Sequence, residues 1–572
     1  MAENSTHDEA KQGSEAASSS AASHAASTGS TDASLASKRR APRGGSGNAG
    51  TAGVEPGTGK GGNGKGKVIA GVIVAVVIVV AVVLGIVWAQ RSNSTDSAAA
   101  SGTTQNTMTV GLKLAPTNMD IRNQSGSALD QVLIDNVYEP LVGRDTDNKV
   151  TAGLAESWDV SQDATTYTFH LHDGMTFSNG DTLDADDVVW SLNQLLEKKY
   201  ASYDQLRNIE SITAKDANTV VIALSAPYSD LLWSLSGRPG LVFDEEADYD
   251  AKTEAIGSGP YLLKSFKENE SVTLERNTKY WGSKKATIPT IVLRYYADDN
   301  AALNAFKSGS IQVLAPVMNA KMTASLEGDD RFVVGQGEDT DKYVLGMNNK
   351  GTALSNIKVR QAIRYAIDHD EIIASRGGVD AKLGGPIPSL DPGYEDLTDL
   401  YPHDIEKAKT LLKEAGYDED NPLTLRLEYA NTYGTEFGEQ LKSQLKEVGI
   451  DLDVKVVEFS TWLQDVYTNH DYDLSLVDHN ESHDFYQWAD PTYYYGYDSK
   501  EVQELYAKSL AATDATQQAE YLKQAARKVS EDAAADWLLN YRVTTAYDRG
   551  VSGFPMNLNQ SRLPLASVDY KK

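Results

Sequence analysis

Strand-like and helix-like patterns of hydrophobic residues alternate along much of the sequence. Thr165–Leu171 is rich in β-branched and aromatic residues and predicts a strand. After the turn dipeptides Asp173-Gly174 and Asn179-Gly180, Asp184 followed by Asp187 predicts a capped helix. The apolar residues of this helix share one face: Val188, Val189, Leu192, Leu195 and Leu196. The segment is therefore predicted as a β-turn-β-turn-helix unit.

A second block of alternating patterns lies nearer the C-terminus. Asp404 begins a predicted helix that ends at Gly416. Apolar residues at every second position then predict strands at Leu423–Leu427 and Ile450–Val456, with a helix ending at Gly449 between them. Strand, helix and strand in this order indicate a βαβ unit, so we predict an α/β fold.

One apolar run is too long for an ordinary core element. Val68–Ala89 is about 22 residues without a charge, roughly 33 Å as a helix, which matches a bilayer core of about 30 Å. We predict a transmembrane helix between a disordered tail at residues 1–67 and a flexible linker at residues 90–107. The alternative is a cleavable signal sequence that ends near Ala98–Ala100. We prefer the anchor because the segment that precedes the apolar run of a signal sequence is short.

Charge divides the chain near this apolar run. The chain has 53 Lys and Arg against 81 Asp and Glu, a net charge of −28, of which residues 1–104 contribute +2. The remaining −30 repels phosphate backbones, so nucleic acid is excluded as a partner. Lys60, Lys65 and Lys67 precede the apolar run, and Arg91 follows it. The positive-inside rule therefore puts the N-terminus in the cytoplasm and the acidic part outside the cell.

The chain has no cysteine. This excludes disulfides, thiolate metal sites, a cysteine nucleophile and a lipid-modified N-terminal cysteine. A transmembrane helix would then replace the lipid anchor, so we expect a Gram-positive host. The sequence also has no phosphate-binding loop and no Gly-x-Ser-x-Gly elbow, and we expect no cofactor.

Several blocks of sequence, in order over about residues 108–560, resemble one protein family. The blocks are Leu154–Trp158, Thr165–Gly174, Phe177–Val188, Ile256–Leu262, Arg276–Gly282, Val359–Asp368 and Ile405–Tyr417. They are similar to the bacterial extracellular solute-binding proteins of family 5, the peptide/nickel type that supplies ABC importers. The resemblance implies a two-lobed, hinged periplasmic-binding-protein-like α/β fold that traps its solute when the lobes close.

The resemblance also implies how the chain divides between the two lobes. Lobe I would comprise residues 108–255, with a small subdomain at about 151–250, and a return segment at 256–347. Lobe II would span residues 348–541. Residues 542–572 would return to lobe I.

The function that the resemblance implies is transport and not catalysis. The protein would be a monomer that captures oligopeptides or dipeptides outside the cell and delivers them to the permease subunits of an ABC importer and their ATPases. Alternatives on the same fold are the binding of a nickel chelate, haem or an oligosaccharide. An alternative of another class is a surface glycosidase that uses paired carboxylates.

The aromatic segment His479–Asp498, which follows a predicted strand at Leu474–Val477, is the best candidate for the solute site. Aromatic side chains with polar tips bind mixed ligands, and loops after strands of open α/β sheets line crevices. An aromatic loop packed on the core is the alternative interpretation. The ligand-binding candidates are Asn118, His479, Asp484, Tyr486, Trp488 and Tyr493.

The role of Asp484 is implied by the resemblance. In peptide-binding relatives, an Asp just ahead of an Asp-Pro pair binds the α-ammonium of the peptide. In this sequence none of the four residues before Asp490-Pro491 is acidic, and Asp484 is the nearest upstream carboxylate. We therefore expect Asp484 to bind the ammonium. No metal site is expected at His479, Glu481 and His483, because their spacing differs from the zincin motif and the segment reads as a loop.

Overall fold

The computed structural model of the chain describes residues 103–317 and 320–572. The predicted tail, the transmembrane segment Val68–Ala89 and most of the predicted linker lie outside these ranges. Within residues 103–317 and 320–572, no helix has both the length and the apolar character that a membrane span requires.

Helices and strands are interspersed along the described chain, with runs of successive strands in its first part. The elements of residues 103–317 are β1 Thr107–Leu112, α1 Ser127–Leu133, β2 Val142–Arg144, β3 Val150–Ala152, β4 Ala155–Val160, β5 Thr166–Leu171, α2 Ala185–Lys198, β6 Ile209–Asp216, β7 Thr219–Leu224, α3 Leu231–Ser234, β8 Tyr261–Lys267, β9 Ser271–Arg276, β10 Thr290–Tyr295, α4 Asp299–Lys307 and β11 Val313–Leu314.

The second part of the chain begins with a long strand and contains the longest of the described helices. Its elements are β12 Phe332–Met347, α5 Ile357–Ala366, α6 His369–Arg376, α7 Ile405–Glu414, β13 Leu423–Ala430, α8 Glu436–Glu447, β14 Ile450–Val457, α9 Phe459–Trp462, β15 Leu474–His479, α10 Tyr486–Ala489, α11 Lys500–Leu510, α12 Ala515–Glu531, β16 Ala535–Asp548, β17 Val551–Ser552 and β18 Asp569–Tyr570.

One ten-stranded sheet runs through the described molecule in the order β14-β13-β15-β12-β16-β11-β1-β10-β9-β8. Strands β12 and β16 are the longest, with 16 and 14 residues, and they pair antiparallel. Their register shifts between Glu338 and Lys342. A separate four-stranded sheet has the order β4-β5-β7-β6.

Buried apolar residues form clusters that divide the molecule into two lobes. Residues 108–326 and 546–570 supply three of these clusters, which define lobe I. Residues 344–539 supply the other two, which define lobe II. Because β12 and β16 continue from one lobe into the other, their central residues form the crossing between the lobes.

The capped helix predicted in lobe I is confirmed. The Asp184 side chain accepts a hydrogen bond from the backbone N–H of Asp186, and Asp187 accepts one from the backbone N–H of Asp184. This capping box begins α2, whose buried face includes Val188, Leu192 and Leu195. The second strand of the predicted unit is reduced to a single bridge, Thr176 with Thr182.

The βαβ unit predicted in lobe II is also confirmed. Strands β13 and β14 are parallel and in register from Leu423 opposite Ile450 onward, and α8 connects them. The preceding helix α7 begins after Asp404, whose side chain accepts from the backbone N–H of Lys407. Local sequence signals are sufficient here because each cap and each alternating strand lies within a short window.

Candidate functional site

The loop between β15 and α10 contacts lobe I directly. Nδ1 of His483 lies 2.9 Å from Oδ1 of Asp230, the residue before α3, and donates to it. The His483 ring stacks on Trp233 with ring centroids 4.5 Å apart. Gln518 of α12 donates to the same oxygen of Asp230 at 2.6 Å. Asp230 is therefore held by two donors from lobe II.

Two further contacts join the lobes. The amide nitrogen of Asn148 in lobe I donates to Asp391 Oδ1 at 3.0 Å and to Ser482 Oγ at 2.8 Å. The backbone N–H of Ser229 donates to the carbonyl of Leu510 at 2.9 Å. These contacts hold the small sheet of lobe I, with its neighbouring loops, against lobe II.

A cavity lies where the lobes meet. The space between its atoms, including the part open to solvent, is about 300 Å³, but the room it encloses is only about 20 Å³, enough for about one water molecule while the lobes are in contact. Asp230 contributes from lobe I, and the other lining residues belong to lobe II: Ile387, Asp391, Pro392, His483, Asp484, Phe485, Tyr506 and Leu522. Three carboxylates and an imidazole therefore face apolar walls, an arrangement typical of small-molecule sites.

Asp484 forms an ion pair within the protein. Nζ of Lys342, at the start of the lobe II part of β12, lies 2.9 Å from Asp484 Oδ2, and the two side chains are 2% and 3% exposed. Gln487 donates to the same oxygen at 3.2 Å, and Lys342 also donates to the carbonyl of Glu481 at 3.1 Å. Burial raises the pKa of Asp484 to about 6, and Lys342 partly offsets the effect. Burial lowers the pKa of Lys342, but the neighbouring carboxylates more than reverse this, so it is raised.

Buried carboxylates also surround the crossing between the lobes. Asp339 lies in the stretch where the register of β12 and β16 shifts, and it is 2% exposed. Burial and the nearby Asp341 raise the pKa of both Asp339 and Asp478. Among residues 103–317 and 320–572, no group of three or more His, Asp and Glu side chains has the geometry of a metal site.

His479 belongs to a buried polar network and not to an ion pair. Its Nδ1 accepts from Gln487, so Nε2 carries the proton and donates to the hydroxyl of Tyr495 at 2.6 Å. Burial lowers the pKa of His479 to about 3, and the positive charge of Lys342 adds to the effect. His479 is therefore neutral at physiological pH, and it reaches Asp484 through Gln487.

The remaining predicted site residues occupy three different environments. The ring of Tyr486 faces the guanidinium of Arg207 in lobe I, 5.7 Å from the ring centroid. Trp488 stacks on Tyr495 at 4.6 Å and lies with Tyr493 in the aromatic core of lobe II. Asn118 closes a turn in lobe I by accepting from the backbone N–H of Asp120.

The structure thus brings Asp484 and Tyr486 to the lobe interface, while His479, Trp488 and Tyr493 pack beneath them in lobe II and Asn118 lies apart in lobe I. Sequence analysis missed Asn148, Asp230, Lys342 and Asp391. Of these four, only Lys342 could have been noticed in the sequence, because a lysine directly precedes the mainly apolar run Tyr343–Met347. Nothing in the sequence near Asp230 indicates that lobe II contacts it.

Comparisons with known proteins agree with this architecture. The family model described as bacterial extracellular solute-binding proteins, family 5 middle, matches residues 149–504. The glutathione-binding protein GsiB of Pectobacterium atrosepticum is 26% identical over 454 residues, which cover 75% of this chain and 88% of GsiB. The periplasmic oligopeptide-binding protein OppA of Salmonella typhimurium is 26% identical over 521 residues, covering 80% and 93%.

Solved structures show the same fold. The nickel ABC transporter structure from Bacillus halodurans matches with a TM-score of 0.70 at 21% identity, over 81% of this chain and 100% of that chain. This likeness shows the two-lobed α/β fold.

Proposed function

Since this chain belongs to the bacterial extracellular solute-binding proteins of family 5, which are binding subunits of ABC importers and not enzymes, we propose that it captures oligopeptides or dipeptides. The solute binds between the lobes and passes to the permease subunits when the lobes separate. The observation that carries this proposal is the cavity between Asp230 of lobe I and the loop that contains His483 and Asp484. The similarity to OppA over 80% of the chain supports a peptide.

The side chains around the cavity have distinct roles in this proposal. Phe485 and Tyr506 line the cavity with aromatic surface that tolerates varied side chains of the solute, and Tyr486 lies beside them against Arg207. Asp484 and His479 belong to the polar network beneath that surface, whereas Asn118 lies outside the lining of the cavity and closes a turn of lobe I. Trp488 and Tyr493 support the loop from the core of lobe II. Main-chain hydrogen bonds supply the remaining affinity, as in other peptide-binding sites.

We also propose that Val68–Ala89 anchors the protein in the membrane of a Gram-positive host. The N-terminal tail is cytoplasmic, and the monomeric binding part, divided as the resemblance implies, is extracellular. A tethered receptor stays near its permease, which raises its effective concentration. Protease added to intact cells should digest the binding part and spare the tail. Complete protection of both parts would contradict this topology.

The copurifying solute tests the peptide assignment. The full-length protein is purified in mild detergent, and its bound small molecules are identified by native mass spectrometry. We expect a peptide, and calorimetry should confirm that the same peptide binds after removal of the native solute. A nickel chelate, haem or an oligosaccharide in place of a peptide would overturn the assignment.

A matched pair of variants tests the position of the site. Tyr506→Ala removes an aromatic ring of α11 from the lining of the cavity and should weaken peptide binding about 10-fold, an ordinary loss for an aromatic contact. Tyr521→Ala removes a ring from α12, which is outside the lining of the cavity, and should leave the affinity unchanged. Equal losses in both variants would place the solute elsewhere.

A further inference from the structure

The carboxylates that line the cavity already accept hydrogen bonds from other groups of the protein. This affects which charge a bound solute can have. We propose that Lys342 is a specificity-determining residue: its ammonium occupies the cation site formed by Asp484 and the Glu481 carbonyl, so the cavity selects solutes without a cationic group at that end. This inference rests on the proposed function of the cavity as the solute site.

The position of Lys342 keeps its ammonium in the cation site formed by Asp484 and the Glu481 carbonyl. It follows the register shift between β12 and β16, and its ammonium lies 2.9 Å from Asp484 and 3.1 Å from the carbonyl of Glu481. Both partners belong to the loop that meets lobe I. Because Lys342 is 2% exposed and extends from a paired strand, it does not exchange with solvent as a surface lysine does.

The other two carboxylates of the cavity are equally occupied. Asp230 accepts from His483 and Gln518. Asp391 accepts from Asn148, from the hydroxyl of Ser482 and from the backbone N–H of His483.

An ammonium or guanidinium group of a solute would therefore have to displace an internal donor. It would also meet Lys342 as a like charge in a desolvated site, where repulsion is strong. A neutral or acylated end has no such cost. The expected solutes are therefore peptides whose amino end is blocked, or peptides that place only neutral groups in this cavity.

Chemical rescue tests whether Lys342 occupies a cation site. Lys342→Ala removes three methylenes and an ammonium, and propylammonium replaces those atoms. Propylammonium should raise the melting temperature of this variant in a saturable way. It should not stabilise the wild type or the double variant Lys342→Ala with Asp484→Asn. Equal effects on all three proteins would overturn the proposal.

Peptide binding tests the selectivity. The probes are Ala-Phe-Ala with a free amino terminus and its N-acetylated form, titrated into the full-length protein. The wild type should bind the acetylated form at least as tightly as the free form. Lys342→Met should reverse the preference by about 10-fold in favour of the free amine, because Asp484 then lacks its cationic partner and keeps only the neutral donor Gln487. Lys358→Met, which removes a lysine from a half-exposed pair with Glu414, should behave like the wild type.

These experiments distinguish a failure of the inference about Lys342 from a failure of the peptide assignment. If the wild type prefers the free amine 10-fold and Asp484→Asn removes the preference, Asp484 binds the solute ammonium and the inference is wrong. This comparison remains valid even if Lys342→Met does not fold. If the wild type binds neither peptide, the peptide assignment fails. The inference is then judged on the copurified solute, and a cationic solute that requires Asp484 would overturn it.

Discussion

At the scale of single residues, the loss of stability on replacing Lys342 or Asp484 depends on whether the other partner remains. Both side chains are almost fully buried, and each is left without its main counter-charge when the other is removed. Lys342→Met should therefore lower the free energy of unfolding by about 3–5 kcal/mol. Urea denaturation measures the loss.

Two controls separate burial from charge. Lys358→Met breaks a half-exposed pair and should cost at most about 1 kcal/mol. Replacing both partners, as in Lys342→Met with Asp484→Leu, should cost less than Lys342→Met alone, because no unpaired charge remains. A double variant that loses more than the single variant would contradict this account.

The cap of α2 is a second residue whose contribution can be isolated. Asp184→Ala removes both the side-chain acceptor and its half of the capping box, and it should cost about 1 kcal/mol. Asp186→Ala, at an exposed position in the first turn, keeps the cap and should change stability by only a few tenths of a kcal/mol. If thermal or urea unfolding gave equal losses for both, the cap would not be the stabilising feature.

Predictability at this scale depends on distance along the chain. The cap at Asp184 lies next to the helix it begins, so the sequence alone indicates it. Asp484 meets Lys342 only because β15 pairs with β12 in the folded sheet. No local pattern encodes that pairing, which explains why sequence analysis found Asp484 but assigned its partner to the solute.

At the scale of elements, β12 requires glycine where another segment crosses it. A Cβ at Gly337 would lie 1.8 Å from the carbonyl oxygen of Met556. That segment cannot move away freely, because Leu558 donates to the Glu338 carbonyl and Asn557 accepts from the Glu338 N–H. Gly337→Ala should therefore destabilise the protein by about 1–3 kcal/mol, as overpacking does elsewhere.

A glycine with free space around it gives the control for this prediction. At Gly237 the nearest atom to an added Cβ is 3.5 Å away and φ is −118°. Gly237→Ala should therefore leave the melting temperature within a degree or two of the wild type. If Gly337→Ala changed the melting temperature as little, the segment around Met556 would be able to move aside, contrary to the prediction.

At the scale of the whole molecule, contact between the lobes depends on the charge of His483. Burial lowers the pKa of His483, but Asp230 and Asp391 outweigh both burial and the positive charge of Arg144, so the pKa is raised. A raised pKa means that the protonated form stabilises the contact. The stabilisation is complete below the unperturbed pKa of about 6.5 and is lost as pH rises through the raised value.

Solution scattering can follow this change. The radius of gyration of the full-length protein should increase between pH 6 and pH 9 as the lobes separate. His483→Gln keeps a hydrogen-bond donor but cannot titrate, so its radius should be independent of pH over that range. A pH response of equal size in the variant would exclude His483 as its origin.

The two-lobed architecture was predictable because the family's sequence blocks occur in order along the chain, and the match over residues 149–504 confirms them. The contacts between the lobes were not predictable. They join residues such as Asn148 and Asp391, which approach only after both lobes are built.

The central position of β16 has a consequence for biosynthesis. Residues 535–548 lie between β12 and β11 in the middle of the sheet, yet they follow every other strand of that sheet in the sequence. Until they are synthesised, the ten-stranded sheet remains in two unconnected parts, and β12 and β11 each lack a neighbouring strand. Nascent chains that stop at residue 530 should therefore be cut by protease more readily in β12 and β11 than the full chain is.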